Sequence, residues 1–125
     1  MTSPSPNRFL ERFRKLSTIV ASDEKVFFFA QYLMEIALLD ASLLKYKGSE
    51  LAAATLILAS KSTKKMNIWN KEMVRATDYT DEYLQPIVED VKGFIVEVNP
   101  KFLTTLKYKF SKVEYKDVAS LPLKF

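Results

Sequence analysis

Whatever chemistry this chain performs has to be done without histidine or cysteine, since it contains neither. That removes disulfides, thiolate and imidazole metal sites, Cys- or Ser-His nucleophile pairs and the usual proton shuttle near neutral pH. Carboxylate chemistry survives the loss, because paired acids alone can hydrolyse glycosides or hold magnesium. The most conspicuous pair is Glu89-Asp90. Neighbouring residues on a helix diverge by about 100°, so these two do not converge on a substrate and read as a solvated face. No other constellation of acids stands out, no glycine-rich phosphate loop is visible, and the expectation is a protein with no catalytic residue, no metal and no cofactor.

The basic residues are more informative. Residues 1–100 carry 13 Lys and Arg against 13 Asp and Glu, whereas residues 101–125 carry six lysines against Glu114 and Asp117. The whole excess of +4 therefore lies in the C-terminal stretch. Lys107, Lys109 and Lys112 form a candidate basic surface for an acidic partner there. A neutral body argues against a nucleic-acid face across the domain.

These residues have to be positioned by helices. Only two glycines occur, and no segment alternates apolar and polar residues long enough to suggest a half-buried strand, so the chain reads as all-α. With 48% hydrophobic and 27% charged residues it should fold, as one domain spanning residues 1–125. Ser5-Pro6 reads as an N-cap and first helical residue, and Phe9, Phe13 and Leu16 make one stripe, giving a helix over 6–16. A second helix, 23–39, opens on Asp23-Glu24 and is apolar except at Gln31 and Glu35, which share a face. Residues 43–47 read as a loop. A third helix, 49–61, is dense in Ala52, Ala53, Ala54 and Ala59, small enough for neighbours to approach closely, and is the expected hub.

Residues 61–65 form a basic connector, and a fourth helix, 70–77, is capped by Asn70. Trp69 just before it reads as a packed staple rather than an exposed anchor. A fifth, 81–98, is capped by Thr80 and carries Leu84, Ile87, Val88, Val91, Ile95 and Val98 at helical spacing, with a local distortion expected at Pro86. Beyond it, 101–125 should hold a short helix near 102–108 and an irregular tail whose Phe110, Tyr115, Val118 and Leu121 dock onto the bundle. Residues 1–6 lack a basic and apolar leader, and the apolar runs at 26–39 and 51–59 are too short to span a bilayer, so a nuclear or cytoplasmic location is expected with no membrane partner.

Certain residues sharpen this outline. Pro4 and Asn7-Arg8-Phe9-Leu10, then Tyr32-Leu33-Met34-Glu35 with Leu39-Asp40, resemble the opening of the C-terminal cyclin box of A- and B-type mitotic cyclins. Ala52-Ala53-Ala54 with Leu58-Ala59, Tyr79-Thr80 with Leu84 and Pro86, and Lys107-Tyr108 with Ser111-Lys112 are similar to later landmarks of that domain, and Ser120-Leu121-Pro122 to the B-type tail. The likeness covers nearly the whole chain in the family's order.

It implies a five-helix bundle around a central helix, with a C-terminal helix and docked tail, serving as a non-catalytic regulatory subunit of a cyclin-dependent kinase in mitosis. The family has two boxes, and the first supplies the residues that grip the kinase. That box has no counterpart in these residues, so the chain reads as a fragment beginning at the link, with Pro4, Ser5, Pro6 and Asn7 as kinase-proximal linker. The alternative is a cyclin-box-like transcription-factor domain that binds nucleic acid and protein.

Overall fold

Residues 51–60 are buried without exception, and a helix advancing about 100° per residue can achieve that only if neighbours surround it. In the computed structural model, which describes residues 6–16, 24–63, 69–98 and 100–121, this stretch belongs to a helix running Gly48–Ser62. Counting α-helices in chain order, it is α3, preceded by α1 (Pro6–Leu16) and α2 (Glu24–Ala37) and followed by α4 (Lys71–Thr77), α5 (Asp81–Glu97) and α6 (Thr104–Phe110). No strand occurs among the described residues. The all-α bundle around a central helix is therefore what the sequence builds.

The hub works because of what it omits. Ala52, Ala53, Ala54 and Ala59 present only a methyl group, so α1, α2 and α5 can all press against α3. Its two buried hydroxyls are satisfied within the helix, Thr55 donating to the Ala52 carbonyl at 3.0 Å and Ser60 to that of Ile57 at 2.6 Å. Leu51, Leu56 and Leu58 fill the space between the alanine contacts.

The flanking helices bury what their spacing prescribes. α1 sends Leu10 and Phe13 into the core, and α2 buries nine residues while keeping Gln31 and Glu35 half-exposed on one face. In α5, Leu84, Ile87, Val88, Val91 and Ile95 face inward below the Thr80 cap, whose hydroxyl accepts from the Tyr83 N–H at 3.1 Å. α4 is capped as expected, Asn70 accepting from the Met73 N–H at 3.1 Å. Asp78 ends it in the left-handed region at φ 64°, a conformation that aspartate tolerates.

Trp69 is packed rather than free. Its ring meets Phe13 edge-on at 5.5 Å and its indole N–H donates to the Tyr79 carbonyl at 2.9 Å. The docking contact is thus to α1 across the bundle. Pro86 lies within α5, yet the helix continues through it to Glu97. Pro86 is exposed, so the Glu82 carbonyl that loses its partner lies on the solvent side, where water can serve it.

Several boundaries differ from the sequence reading. α2 stops at Ala37 because Asp40 starts a new element: its side chain accepts from the Ser42 N–H at 2.9 Å and caps a 3-10 helix, Ala41–Lys45, where a loop had been expected. Leu43 from this turn is buried. The expected helix at 102–108 is a 3-10 turn, Pro100–Leu103, running into α6. Asp23, Lys64 and Lys65 lie outside the described residues, while Lys61 and Ser62 of the expected connector form the last turn of α3 and Thr63 is its C-cap.

The tail is docked and more regular than expected, with 3-10 turns at Val113–Tyr115 and Val118–Ser120. Phe110 and Val118 are fully buried, and Tyr115 rests against Phe28 of α2 at 5.5 Å and Phe110 at 4.9 Å. Between the turns Lys116 and Asp117 both take positive φ, 58° and 52°. Two such residues in succession cost about 2–4 kcal/mol, offset by the aromatic contacts before them and the burial of Val118 after. One group is left over. The hydroxyl of Tyr32, buried beside Phe110, has no hydrogen-bond partner among the described residues, and burial pushes its pKa up.

If the alanines of α3 set the approach of its neighbours, a larger side chain there has nowhere to go. Ala53→Leu should cost about 1–3 kcal/mol by overpacking. A thermal melt checks this, and an unchanged midpoint would mean that the crossing is not at Ala53.

Candidate partner-binding surfaces

Of the three lysines expected to form a basic surface, two are exposed and the third is half-buried against the protein's own acid. Lys107 and Lys109 are two residues apart on α6 and hence about 200° apart around its axis. Lys107 and Lys112 are exposed, and the Lys112 ammonium sits 5.2 Å from the centre of the Tyr108 ring. Lys109 turns toward α2 instead, its ammonium 3.3 and 3.4 Å from the two oxygens of Glu35 and within 5.6 Å of the Phe110 and Tyr115 ring centres. It fastens the tail. Lys116 likewise reaches Glu24 at 3.6 Å, and the same carboxylate meets Arg14 of α1 at 3.8 Å. Each exposed pair is worth little by itself, but together they commit part of the tail's positive charge to the protein's own acids.

The other expected site is the N-terminal linker. Pro4 and Ser5 lie outside the described residues, while Pro6 and Asn7 form the first backbone positions of α1.

A lattice of polar groups that the sequence did not reveal links the start of α3 to α5. Glu50, only 6% exposed, accepts from the Lys47 N–H at 2.7 Å and from the hydroxyl of Tyr83. Tyr83 stacks on Tyr79 with ring centres 5.3 Å apart, and the Tyr79 hydroxyl is 2.8 Å from that of Ser49. Nearby, Tyr46 donates its hydroxyl to Asp90, which also meets Lys45 at 3.8 Å. The bond to Glu50 raises the pKa of Tyr83, and the bond to Asp90 pushes that of Tyr46 up to about 12. Asp90 is thereby engaged in holding the fold, away from its neighbour Glu89, which lies exposed on α5. Among the described residues no group of three or more acids is gathered where it could hold a metal ion.

Another surface feature is apolar. Leu39, Phe94, Val98 and Phe102 line a cavity of about 380 Å³ where the end of α2 meets the end of α5, and Leu39 and Phe102 are 51% and 70% exposed. The i, i+4 pair Phe94 and Val98 was visible in the sequence, but the approach of Leu39 and Phe102 was not.

Helix order, hub and tail together invite comparison with known proteins. Residues 4–124 match the family model described as the C-terminal domain of cyclin. The chain belongs to the cyclin C-terminal domain family. Among similar proteins, the G2/mitotic-specific cyclin-B2 of Oryzias curvinotus is 31% identical over 122 residues, covering 95% of this chain and 30% of that protein. The cyclin-B2 of Rana japonica is 34% identical over 96 residues, 77% of this chain and 24% of that protein. A cyclin-B of Patella vulgata is 25% identical over 114 residues, 91% of this chain and 27% of that protein. This cyclin domain thus spans at most about a third of the length of these relatives.

The polar lattice of the cyclin domain makes a prediction about pH. Tyr46 holds its proton more tightly folded, with a pKa of about 12, than unfolded near 10, so its stabilising effect is complete below pH 10 and is lost as pH rises through 12. Asp90→Asn should move the Tyr46 titration back toward 10. Ultraviolet absorbance of tyrosinate in wild type and variant reads this directly, and coincident titration curves would show that Asp90 does not hold the phenol.

Proposed function

We propose that this cyclin domain works as a non-catalytic part of a mitotic cyclin, supporting the binding and activation of a cyclin-dependent kinase in the nucleus or the cytoplasm. The observation that carries the reading is the family match along residues 4–124 together with the mitotic cyclin-B identity of the relatives. The physical layout agrees with it. The polar and charged groups that come together tie helix to helix rather than converge on an open site: Glu50 with Tyr83, Asp90 with Tyr46, and Lys109 with Glu35.

For a regulator of this kind the reachable elements matter most. Among the described residues these are the exposed Lys107 and Lys112, with Lys109 contributing less because it is paired with Glu35, and the sequence adds the linker Pro4, Ser5, Pro6 and Asn7 as candidate kinase-proximal residues. The nucleic-acid alternative needs cations arranged along a phosphate track. Lys45, Lys109, Lys116 and Arg14 instead sit beside acids, which weakens it.

A regulator activates a kinase only through its difference in affinity for the active and inactive arrangements. In the two-box architecture most of that difference comes from the first box, with the C-terminal body as its support. This chain, titrated alone to high micromolar concentration into a kinase assay, should give weak or undetectable activation. Fusing a first cyclin box upstream should restore it. Strong activation by the chain alone, or none by the fusion, would contradict this division of labour.

A further inference from the structure

A cation in the last turn of a helix offsets the negative end of its dipole. The last turn of α1 holds Arg14 and Lys15, that of α3 Lys61, that of α4 Arg75, and that of α6 Lys107 and Lys109. Those of α2 and α5 hold none, and these two helices end together at the apolar cavity of Leu39, Phe94, Val98 and Phe102. Two acids add to the field there. The half-buried Asp40 follows Leu39, and the exposed Glu97 precedes Val98, with no cation among the described residues paired to it. Of the other charges close in sequence, Glu35 is taken up by Lys109, and Lys101 beside Phe102 has a partner of its own. The turn after α2 satisfies the carbonyls of Met34, Ile36 and Ala37, so what acts at the cavity is the field of dipoles and carboxylates rather than a bare acceptor.

The cavity supplies the other half of the chemistry. Its volume of about 380 Å³ is in the range that takes a bound side chain or small ligand, and the exposed Leu39 and Phe102 leave apolar surface in water that an occupant would cover. We propose that this cavity docks a peptide segment of a partner protein in which a bulky apolar side chain is flanked by arginine or lysine. The apolar side chain fills the space among Leu39, Phe94, Val98 and Phe102. The flanking cations lie against Asp40, Glu97 and the two helix ends, where they do what a last-turn lysine or arginine does in the other four α-helices.

The sign of the field selects among occupants. A membrane surface and a nucleic acid both present phosphates, which the acids and both dipole ends repel. Two copies of the chain meeting face to face at this cavity would set the same acids against one another. An uncharged apolar ligand is stabilised by the cavity and gains nothing from the charge. A basic and apolar peptide is favoured by both, burial supplying most of the affinity and the cations setting its direction and its selectivity. Lys107 and Lys112 take no part, so the site stands apart from the exposed lysines and does not rest on the kinase reading.

The test titrates the isotope-labelled chain with short peptides that carry leucine and phenylalanine at their centre, flanked by arginine in one set and by glutamate in a matched set, and follows the backbone amide shifts. The arginine set should bind about tenfold more tightly than the glutamate set at low salt, with the difference shrinking toward about 0.5 M salt. The largest shifts should fall on Leu39, Phe94, Val98 and Phe102. Leu39→Ser, at an exposed position, should keep the melting point and weaken the arginine peptides about tenfold. Glu97→Lys, which supplies the missing last-turn cation, should weaken them about threefold and leave the glutamate peptides no weaker. Equal affinity for the two sets, no binding of the arginine set at millimolar concentration, an undiminished affinity in Leu39→Ser, or shifts centred on other residues would overturn the proposal. So would shifts at the cavity that grow with protein concentration alone, which would assign it to a second copy of the chain.

Discussion

A helix buried around its whole circumference constrains everything that touches it, and α3 is such a helix. Its alanines fix how closely α1, α2 and α5 can approach, and its leucines fix where those helices must be hollow. The neighbours can then afford large residues. Phe13, Phe27, Phe29, Tyr32 and Phe110 are all buried in the layer around the hub, where a smaller central axis leaves room for them. The tail closes this layer, with Tyr115 and Phe110 completing an aromatic cluster begun by Phe28 and Tyr32 of α2. Cyclin-domain architecture in this chain thus follows from the exclusion of bulk at one axis and its accumulation around that axis.

Polar groups obey the same geometry. α3 starts beneath α5, so its N-terminal Glu50 is almost buried and must be satisfied by a backbone N–H and a tyrosine hydroxyl. The charged tail is held by the same acids that a purely electrostatic reading would have left to solvent. Lys109 is the instructive case: its place in the sequence marks it as part of a basic patch, whereas its place in the fold makes it a clamp between α6 and Glu35.

Features set by local pattern were legible in advance. Residues 51–59 have no polar stripe, which excludes a surface helix, and α5 announces itself through its Thr80 cap, the acids of its first turn and the spacing from Leu84 to Ile95. The mitotic-cyclin likeness rested on landmarks in the right order, and the family match bears it out. What escaped was either too short or too distant to leave a periodic trace. The 3-10 helix at Ala41–Lys45 has five residues and one signal, Asp40 two places before Ser42. The left-handed pair Lys116 and Asp117 has none, since packing on either side imposes it. Glu50 with Tyr83 and Tyr46 with Asp90 join residues 33 and 44 positions apart, and no single sequence reveals which tyrosine will meet which acid.

The dependence of the fold on its central helix can be measured residue by residue through native-state hydrogen exchange. Amides of residues 51–60 should be the slowest in the domain, exchanging only through global unfolding, with α2 and α5 close behind and residues 113–121 released through smaller openings. Such a gradient is what a bundle built outward from α3 requires. If α3 exchanged through local openings while α2 and α5 stayed protected, those two helices would be stable without it, and the hub would lie elsewhere.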